Sequence, residues 1–368
     1  MAFELRKYTH PDFTEKKFVE SPDCRLEAAP RDGVAPFDFH ALSIFPEYFK
    51  IDGTWHMCEE ARMDTVPVWD GEKMLSVEAR RLNKGDLVVC GRTEDCEEGI
   101  FMHAFGFDEG TKSGDTFAFR TGRSRETAFG KDLDEIVELL KHEKEHGNVV
   151  WVLGPAFAFD VRARRALSAI IENGYADAVL AGNALATHDL EGAYMNTALG
   201  QNIYTQENVH NGHYNHLDLI NRVRAAGSIP AFIEQEGLDN GVITSAVKSN
   251  VPIVLGGSIR DDGPIPEVIA DVYEGQNVMR QTVKKATTVI CLATMLHTIA
   301  TGNMTPSFRV LEYGTIRPVF LYTVDADEFV VNKLLDRGSL AATTIVTNVQ
   351  DFITIVANGL GLEWKRYS

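Results

Sequence analysis

The sequence predicts an α/β protein, with a β-rich N-terminal domain followed by a parallel, doubly wound C-terminal domain. Two patterns carry this prediction. From Asn148 onward, short apolar runs rich in β-branched residues alternate with helix-length amphipathic segments. Continuous apolar strands between helices imply a parallel sheet covered on both faces, and right-handed crossovers make it doubly wound. Before about residue 130 the apolar runs are short and bounded by Gly, Pro and acidic turn residues, the signature of hairpins. A chain of 368 residues has room for two or three such units.

In the first part the candidate strands are LSIFPEYFKI, DTVPVWD, GDLVVCG, GIFMHAFGF and DTFAFRT. The segment from Asp132 to Gly147 reads as one helix: its first turn is acidic, Ile136, Leu139 and Leu140 keep helical spacing, lysines gather later, and Gly147 stops it. The expected units are therefore a β-rich domain over 1–130, a linking helix over 131–147 and an α/β domain over 148–368. In the last, the strands NVVWVLG, DAVLAG, VPIVLGG, TTVICLA, VFLYTV and TTIVT alternate with VRARRALSAIIENG, HLDLINRVRAAG, GVITSAVKSN and DEFVVNKLLDRG, and DFITIVANGL closes the chain as a helix.

With 36 Lys+Arg against 53 Asp+Glu, the net charge is −17, and no basic run offsets it. Phosphate backbones need a basic face, so nucleic acid is excluded as a partner. No apolar run approaches the ~20 residues of a membrane helix. Five cysteines form no CxxC pair, and the first residues are polar, so reduced thiols and a cytoplasmic location are expected.

In open parallel sheets, ligands bind outside the carboxyl ends of the strands. Here those ends read Gly154-Pro155, Gly182-Asn183-Ala184, Gly256-Gly257-Ser258, Thr294-Met295, Asp325 and Thr347-Asn348. Glycines allow close backbone approach, helix-start amides bind phosphate, and a carboxylate such as Asp325 accepts ribose hydroxyls. The set describes a dinucleotide site, with NAD as the simplest candidate, although no GxGxxG follows any strand. Gly and Asn after strands also serve as plain turn formers, and Asp325 also suits a helix N-cap.

Three polar motifs are expected as loops at the lips of core strands. GNALATHDLEG holds His188, Asp189 and Glu191; GGSIRDDGP sets Arg260 beside Asp261 and Asp262; TMLHTIATGN carries His297. Carboxylates and imidazoles converging there can shuttle protons. A structural ion pair for Arg260 and a packed-loop role for His297 are the plainer alternatives. HNGHYNH spaces His210, His213 and His216 at i, i+3, i+6, but without a further ligand at fixed spacing no metal is expected, and His213 or His216 can instead face a substrate or cap a helix. No GxSxG occurs, Cys291 sits inside a strand, and Lys248 ends a helix.

GYADAVLAGNALATHDLEG, AGSIPAFIEQ, SNVPIVLGGSIRDDGPIPEVIADV, TVICLATMLHTIATGNMTPS and KLLDRGSLAATTIVTNV together resemble the alternate ornithine cyclodeaminase family, also described by a conserved LOR/SDH region, over about residues 148–350. The resemblance implies an NAD-dependent enzyme with a Rossmann-like domain similar to that of deoxyhypusine synthase. It implies NAD contacts at Asn183, Ala184, Asp262, Thr294, Met295, Leu296, His297, Asp325, Ile345 and Val346. The reaction it implies is ornithine to proline plus ammonia, a step in amino-acid metabolism, with Asp261 or Glu191 as acid/base, His188 and His297 as supporting donors, and Arg260 holding the substrate carboxylate. Relatives of this kind tend to be homo-oligomers. The chain departs from the family at Phe159 and Asp160, which stand in place of His and Thr, at Ala246 in place of a Cys, and in a longer segment before Asp325. An NAD(P)-dependent amino-acid dehydrogenase or related lyase, and a non-catalytic dinucleotide-binding subunit, are the competing expectations.

Overall fold

The computed structural model describes residues 4–107, 129–261, 263–328, 331 and 339–364. In the first part, a short helix α1 (Lys16–Glu20) precedes strands β1 (Arg25–Ala28), β2 (Glu47–Ile51), β3 (Thr54–Met57), β4 (Val66–Trp69), β5 (Met74–Val77), β6 (Leu87–Cys90) and β7 (Ile100–Met102). They form two antiparallel sheets, β1-β6-β4-β5 and β3-β2-β7. Asp52 and Gly53 join β2 to β3 with φ of +48° and +77°. That pair of left-handed residues is what a two-residue hairpin requires. The β-rich expectation holds, and β2, β4, β6 and β7 lie within predicted runs. β1, β3 and β5 lie outside them, being four residues each and mixed in polarity. The run DTFAFRT falls outside the described residues.

The linking helix is α2 (Gly130–His146), which turns Ile136, Leu139 and Leu140 into the core of the second part. That part is one parallel sheet of seven strands: β8 (Val149–Leu153), β9 (Ala178–Gly182), β12 (Ile253–Gly256), β13 (Val268–Ile269), β14 (Thr288–Leu292), β17 (Phe320–Asp325) and β18 (Ala341–Val346). All six predicted strands are present, and the two-residue β13 adds a seventh. The order is β13-β12-β9-β8-β14-β17-β18 with every neighbour parallel. The chain thus runs outward from β8 to β13, then crosses to β14 on the other side of β8. The strand order reverses between β8 and β14, and a crevice opens there by topology alone.

Alternate residues of the central strand face opposite cores, with Val149, Trp151 and Leu153 in one and Val150 and Val152 in the other. The covering helices are α3 (Val161–Glu172), α4 (Asn183–Met195), α5 (His213–Ala226), α6 (Ile229–Glu236), α7 (Val242–Lys248), α8 (Val272–Val283), α9 (Met295–Met304) and α10 (Val349–Gly359). A small ladder, β10 (Thr197–Ala198) with β11 (Gln201–Asn202), follows α4. Most of DEFVVNKLLDRG lies outside the described residues.

The expected boundary at residue 147 is crossed by several contacts, among them the Arg280–Glu78 and Lys284–Glu60 ion pairs and one inserted hairpin. The longer segment before Asp325 forms the hairpin β15 (Phe308–Val310) and β16 (Ile316–Pro318), whose Phe308 and Ile316 enter the N-terminal core with Phe49 and Ile100. The buried Arg317 then donates to the equally buried Glu143 of α2 at 2.9 Å.

Candidate active site

The carboxyl ends of β8, β9, β12 and β14 open into a cleft of about 450 Å³. Its floor is made by residues that turn sharply out of the strands. Gly154 donates its N–H to the Leu292 carbonyl at 2.8 Å, so closely that an added Cβ would stand 1.9 Å from the Ala293 carbonyl oxygen. Only glycine tolerates that approach. Gly182 and Gly256 lie under the His297 ring: a Cβ on the first would meet its Cε1 at 3.1 Å, and one on the second its Nε2 at 3.7 Å. The glycines noted at the strand ends therefore do more than turn the chain.

Two of the motifs expected as polar loops are helices. GNALATHDLEG begins α4 directly after β9, and TMLHTIATGN begins α9 directly after β14. The N-termini of α4 and α9 have no side-chain cap, whereas Asp160, Ser228, Asp271 and Asn348 cap α3, α6, α8 and α10. Their first amides therefore lack side-chain partners at the edge of the cleft, an arrangement suited to an anion.

Along α4 the polar side chains diverge by their helical spacing. Asp189 points away from the cleft, accepting from Arg164 Nε at 2.8 Å and from the Ile243 N–H at 2.8 Å. His188 and Glu191, at i and i+3, share the other face. Glu191 is fully buried and accepts from the Thr197 hydroxyl at 2.7 Å and from the Leu199 and Gly200 N–H groups at 3.0 Å each. Its second oxygen lies 3.7 Å from His188 Nδ1. Burial alone would raise its carboxyl pKa, but His188 and these three donors outweigh burial and hold it below the usual carboxylate range. From α5, His216 brings its ring centroid within 5.1 Å of that of His188, and the Phe159 ring centroid lies 5.7 Å from it. One ligand-type atom from each of His188, Glu191 and His216 lies within 4.8 Å of the others.

His188, Asn183, Ala184, Arg260, Asp261, Thr294, Leu296 and His297 all line the cleft, as do Phe159, Leu199, His216 and Ser258. Asn183 is buried and accepts from the Ile265 N–H at 3.2 Å, tying the start of α4 to the GGSIRDDGP loop. Asp261 closes a turn in that loop by accepting from the Ser258 N–H at 2.8 Å. Burial pushes the His297 imidazole pKa down, favouring its neutral form. Glu191 stands behind His188 rather than on the cleft wall. Met295 is exposed on the first turn of α9. Asp325 ends β17, one strand beyond β14, and accepts from the Asp327 N–H at 2.9 Å. Ile345 and Val346 end the edge strand β18, with Val346 in register with Asp325. Asp262 lies outside the described residues.

The remaining sequence candidates have ordinary places. Asp160 caps α3, Ala246 is buried in the core and Lys248 is exposed at the end of α7. Cys291 is a buried thiol whose pKa burial pushes up to about 12. His210 and His213 are exposed, leaving His216 alone of its trio in the cleft.

A family model described as arginine dihydrolase ArgZ-like, C-terminal, Rossmann fold, matches residues 134–356. The ornithine cyclodeaminase of Methanopyrus kandleri is 37% identical over 353 residues, which cover 95% of this chain and 80% of that protein. This chain belongs to the ornithine cyclodeaminase family. Its structure agrees: a LOR/SDH protein from Methanococcus maripaludis superposes with a TM-score of 0.83 at 34% identity, over 92% of this chain and 98% of that one. A ternary complex of AgrE with ornithine and NAD+ superposes with a TM-score of 0.58 at 31% identity, over 93% of this chain and 46% of AgrE. In ornithine cyclodeaminase terms, the expected Rossmann domain is present, and its crevice lies between β8 and β14. Among the described residues, no helix is long and apolar enough to cross a membrane.

Proposed function

We propose that this protein is an NAD-dependent cyclodeaminase that converts ornithine to proline and ammonia. The observation that carries the reading is the cleft itself, which joins two helix N-termini without side-chain caps and the strand-end glycines Gly154, Gly182 and Gly256 to His188 and His216, with Glu191 behind His188. Membership of the family and the ornithine and NAD+ held by AgrE supply the identities.

The residues fit a dinucleotide. Amides at the starts of α4 (Asn183, Ala184) and α9 (Thr294 through His297) suit the pyrophosphate, and Asp325 suits a ribose diol. Ile345 and Val346 would complete the binding edge. A carboxylate at Asp325 repels a 2′-phosphate, which favours NAD over NADP. When bound, NAD supplies the temporary removal of hydride from the substrate α-carbon and its return to the ring imine.

The chain's own groups do the rest. Arg260 would hold the substrate carboxylate, since its planar fork suits bidentate contact. Asp261 and His188 reach the cleft as acid/base groups, while Glu191, saturated with donors, orients His188. His297 adds a neutral donor over the strand ends. Phe159 and Leu199 help keep water out, which strengthens these contacts.

The test is turnover of ornithine with catalytic NAD. Equal yields of proline and ammonia at steady 340 nm absorbance support the proposal. Net production or consumption of NADH would favour an amino-acid dehydrogenase, and NAD binding without turnover would favour a binding subunit.

A further inference from the structure

We infer that Glu191, His188 and His216 form a two-imidazole proton relay, with His216 as an unassigned catalytic residue of the cleft. The inference rests on the ornithine reading and specifies how that site handles protons. Ornithine enters with two ammonium groups. The α-nitrogen must lose one proton before its carbon can be oxidised, and the δ-nitrogen must lose one before its lone pair can attack. At the end, one proton converts departing ammonia to ammonium and one charges the ring nitrogen of proline. Between these, one proton moves from the ring nitrogen to the leaving nitrogen of the cyclic aminal; two protons otherwise leave the substrate and two return, so atoms and charge balance with nothing drawn from outside. A single base would need solvent exchange between the two transfers. Two adjacent imidazoles backed by one carboxylate match the count.

The geometry fits this division. Each carboxylate oxygen of Glu191 accepts about two hydrogen bonds. Thr197 and Gly200 take one oxygen, and Leu199 takes one place on the other, leaving the side nearest His188 Nδ1, 3.7 Å away. At 3.7 Å the contact is electrostatic rather than a hydrogen bond, and Nδ1 is buried without a hydrogen-bond partner, so the carboxylate's charge favours the Nδ1–H tautomer of His188 and leaves Nε2 as the nitrogen for the cleft. His216 comes from another helix, α5, and its ring centroid lies 5.1 Å from that of His188, a span that one bridging water can close for proton transfer. Asn215, beside it in sequence, donates to Thr197 at 2.9 Å, and Thr197 in turn donates to Glu191, fixing the start of α5 against α4. The other ionisable groups lining the cleft are Arg260, Asp261 and His297, while Asp189 on the far side of α4 is neutralised by Arg164. The same three residues resemble a two-histidine, one-carboxylate metal set. Three donors on Glu191 leave one lone-pair site, which serves either His188 or a cation but not both, and the metal assay below separates the two.

The variants are His216→Asn, His216→Gln and Glu191→Gln, each with its melting point and NAD affinity checked. We expect either His216 variant to lower kcat about 10²-fold with little change in KM or NAD affinity, and to remove one limb of the kcat–pH profile. Nitrogen-15 NMR of ring-labelled histidines, without substrate or NAD, should find His188 as the Nδ1–H tautomer in the wild type and mixed in Glu191→Gln. Wild-type kcat and pH profile in a folded His216 variant would overturn the relay. So would stoichiometric metal with chelator-sensitive activity, or His188 found as the Nε2–H tautomer. If the wild type fails to make proline but the tautomer is as stated, the ornithine reading falls and the geometry of the relay stands.

Discussion

Glu191 lies one turn beyond His188 on α4, its carboxylate 3.7 Å from the His188 Nδ1 and fixed by Thr197, Leu199 and Gly200 on its other sides. The carboxylate is therefore a fixture of the fold that aims an imidazole, not a mobile acid. Glu191→Gln keeps the shape but removes the charge that selects the tautomer. Turnover should fall by about 10²-fold or more, with NAD affinity within a factor of two, measured by steady-state kinetics and fluorescence titration. Unchanged turnover would remove Glu191 from the account.

Asp325→Asn tests the ribose contact. Asparagine retains the oxygen that accepts from the Asp327 N–H, so the turn after β17 should survive. Losing the charge should weaken NAD about tenfold, roughly the 1.4 kcal/mol of one charge-assisted hydrogen bond, and improve NADP relative to NAD. Equal affinities for both coenzymes in wild type and variant would contradict this.

The strand-end glycines give a graded pair. Gly154→Ala places a methyl against the Ala293 carbonyl and should cost about 1–3 kcal/mol in urea unfolding. Gly182→Ala meets only the edge of the His297 ring, which can shift, so stability should change less while NAD affinity falls.

His297 and Glu191 both make stability depend on pH. Burial lowers the His297 pKa, so the unfolded chain binds a proton that the folded one refuses as pH drops below the ordinary histidine value of about 6.5. Stability should therefore decline as pH falls below about 6.5. Glu191 is also held low, so its contribution persists above the ordinary carboxylate range and is lost as pH falls through it, near pH 4 and below. Thermal melts across this range should show both declines, and His297→Asn should reduce the upper one, to which the partly buried His103 also contributes, while leaving the lower one.

Much of this molecule is legible from sequence because parallel strands buried on both faces leave uninterrupted apolar runs. The end of each run locates the cleft from the sequence alone. α4 escapes that reading: it is buried almost all round from Leu185 to Gly192, so its polar residues follow no amphipathic period and look like a loop. β13 is too short to leave a pattern, and β1, β3 and β5 are half-exposed hairpin strands. The pairing of His188 with His216 spans two helices, and no local spacing in HNGHYNH reveals which histidine turns inward. The split between Glu191 as an orienting group and Asp261 as a cleft-facing one likewise depends on the turn after α4, which brings the Leu199 and Gly200 amides back to the helix.

The most direct test of the central claim is a crystal structure of the protein grown with NAD. The coenzyme should lie across the β8/β14 crevice, with its pyrophosphate at the starts of α4 and α9, a ribose on Asp325 and its nicotinamide near His188. Coenzyme bound elsewhere, or a crevice left empty at saturating NAD, would contradict it.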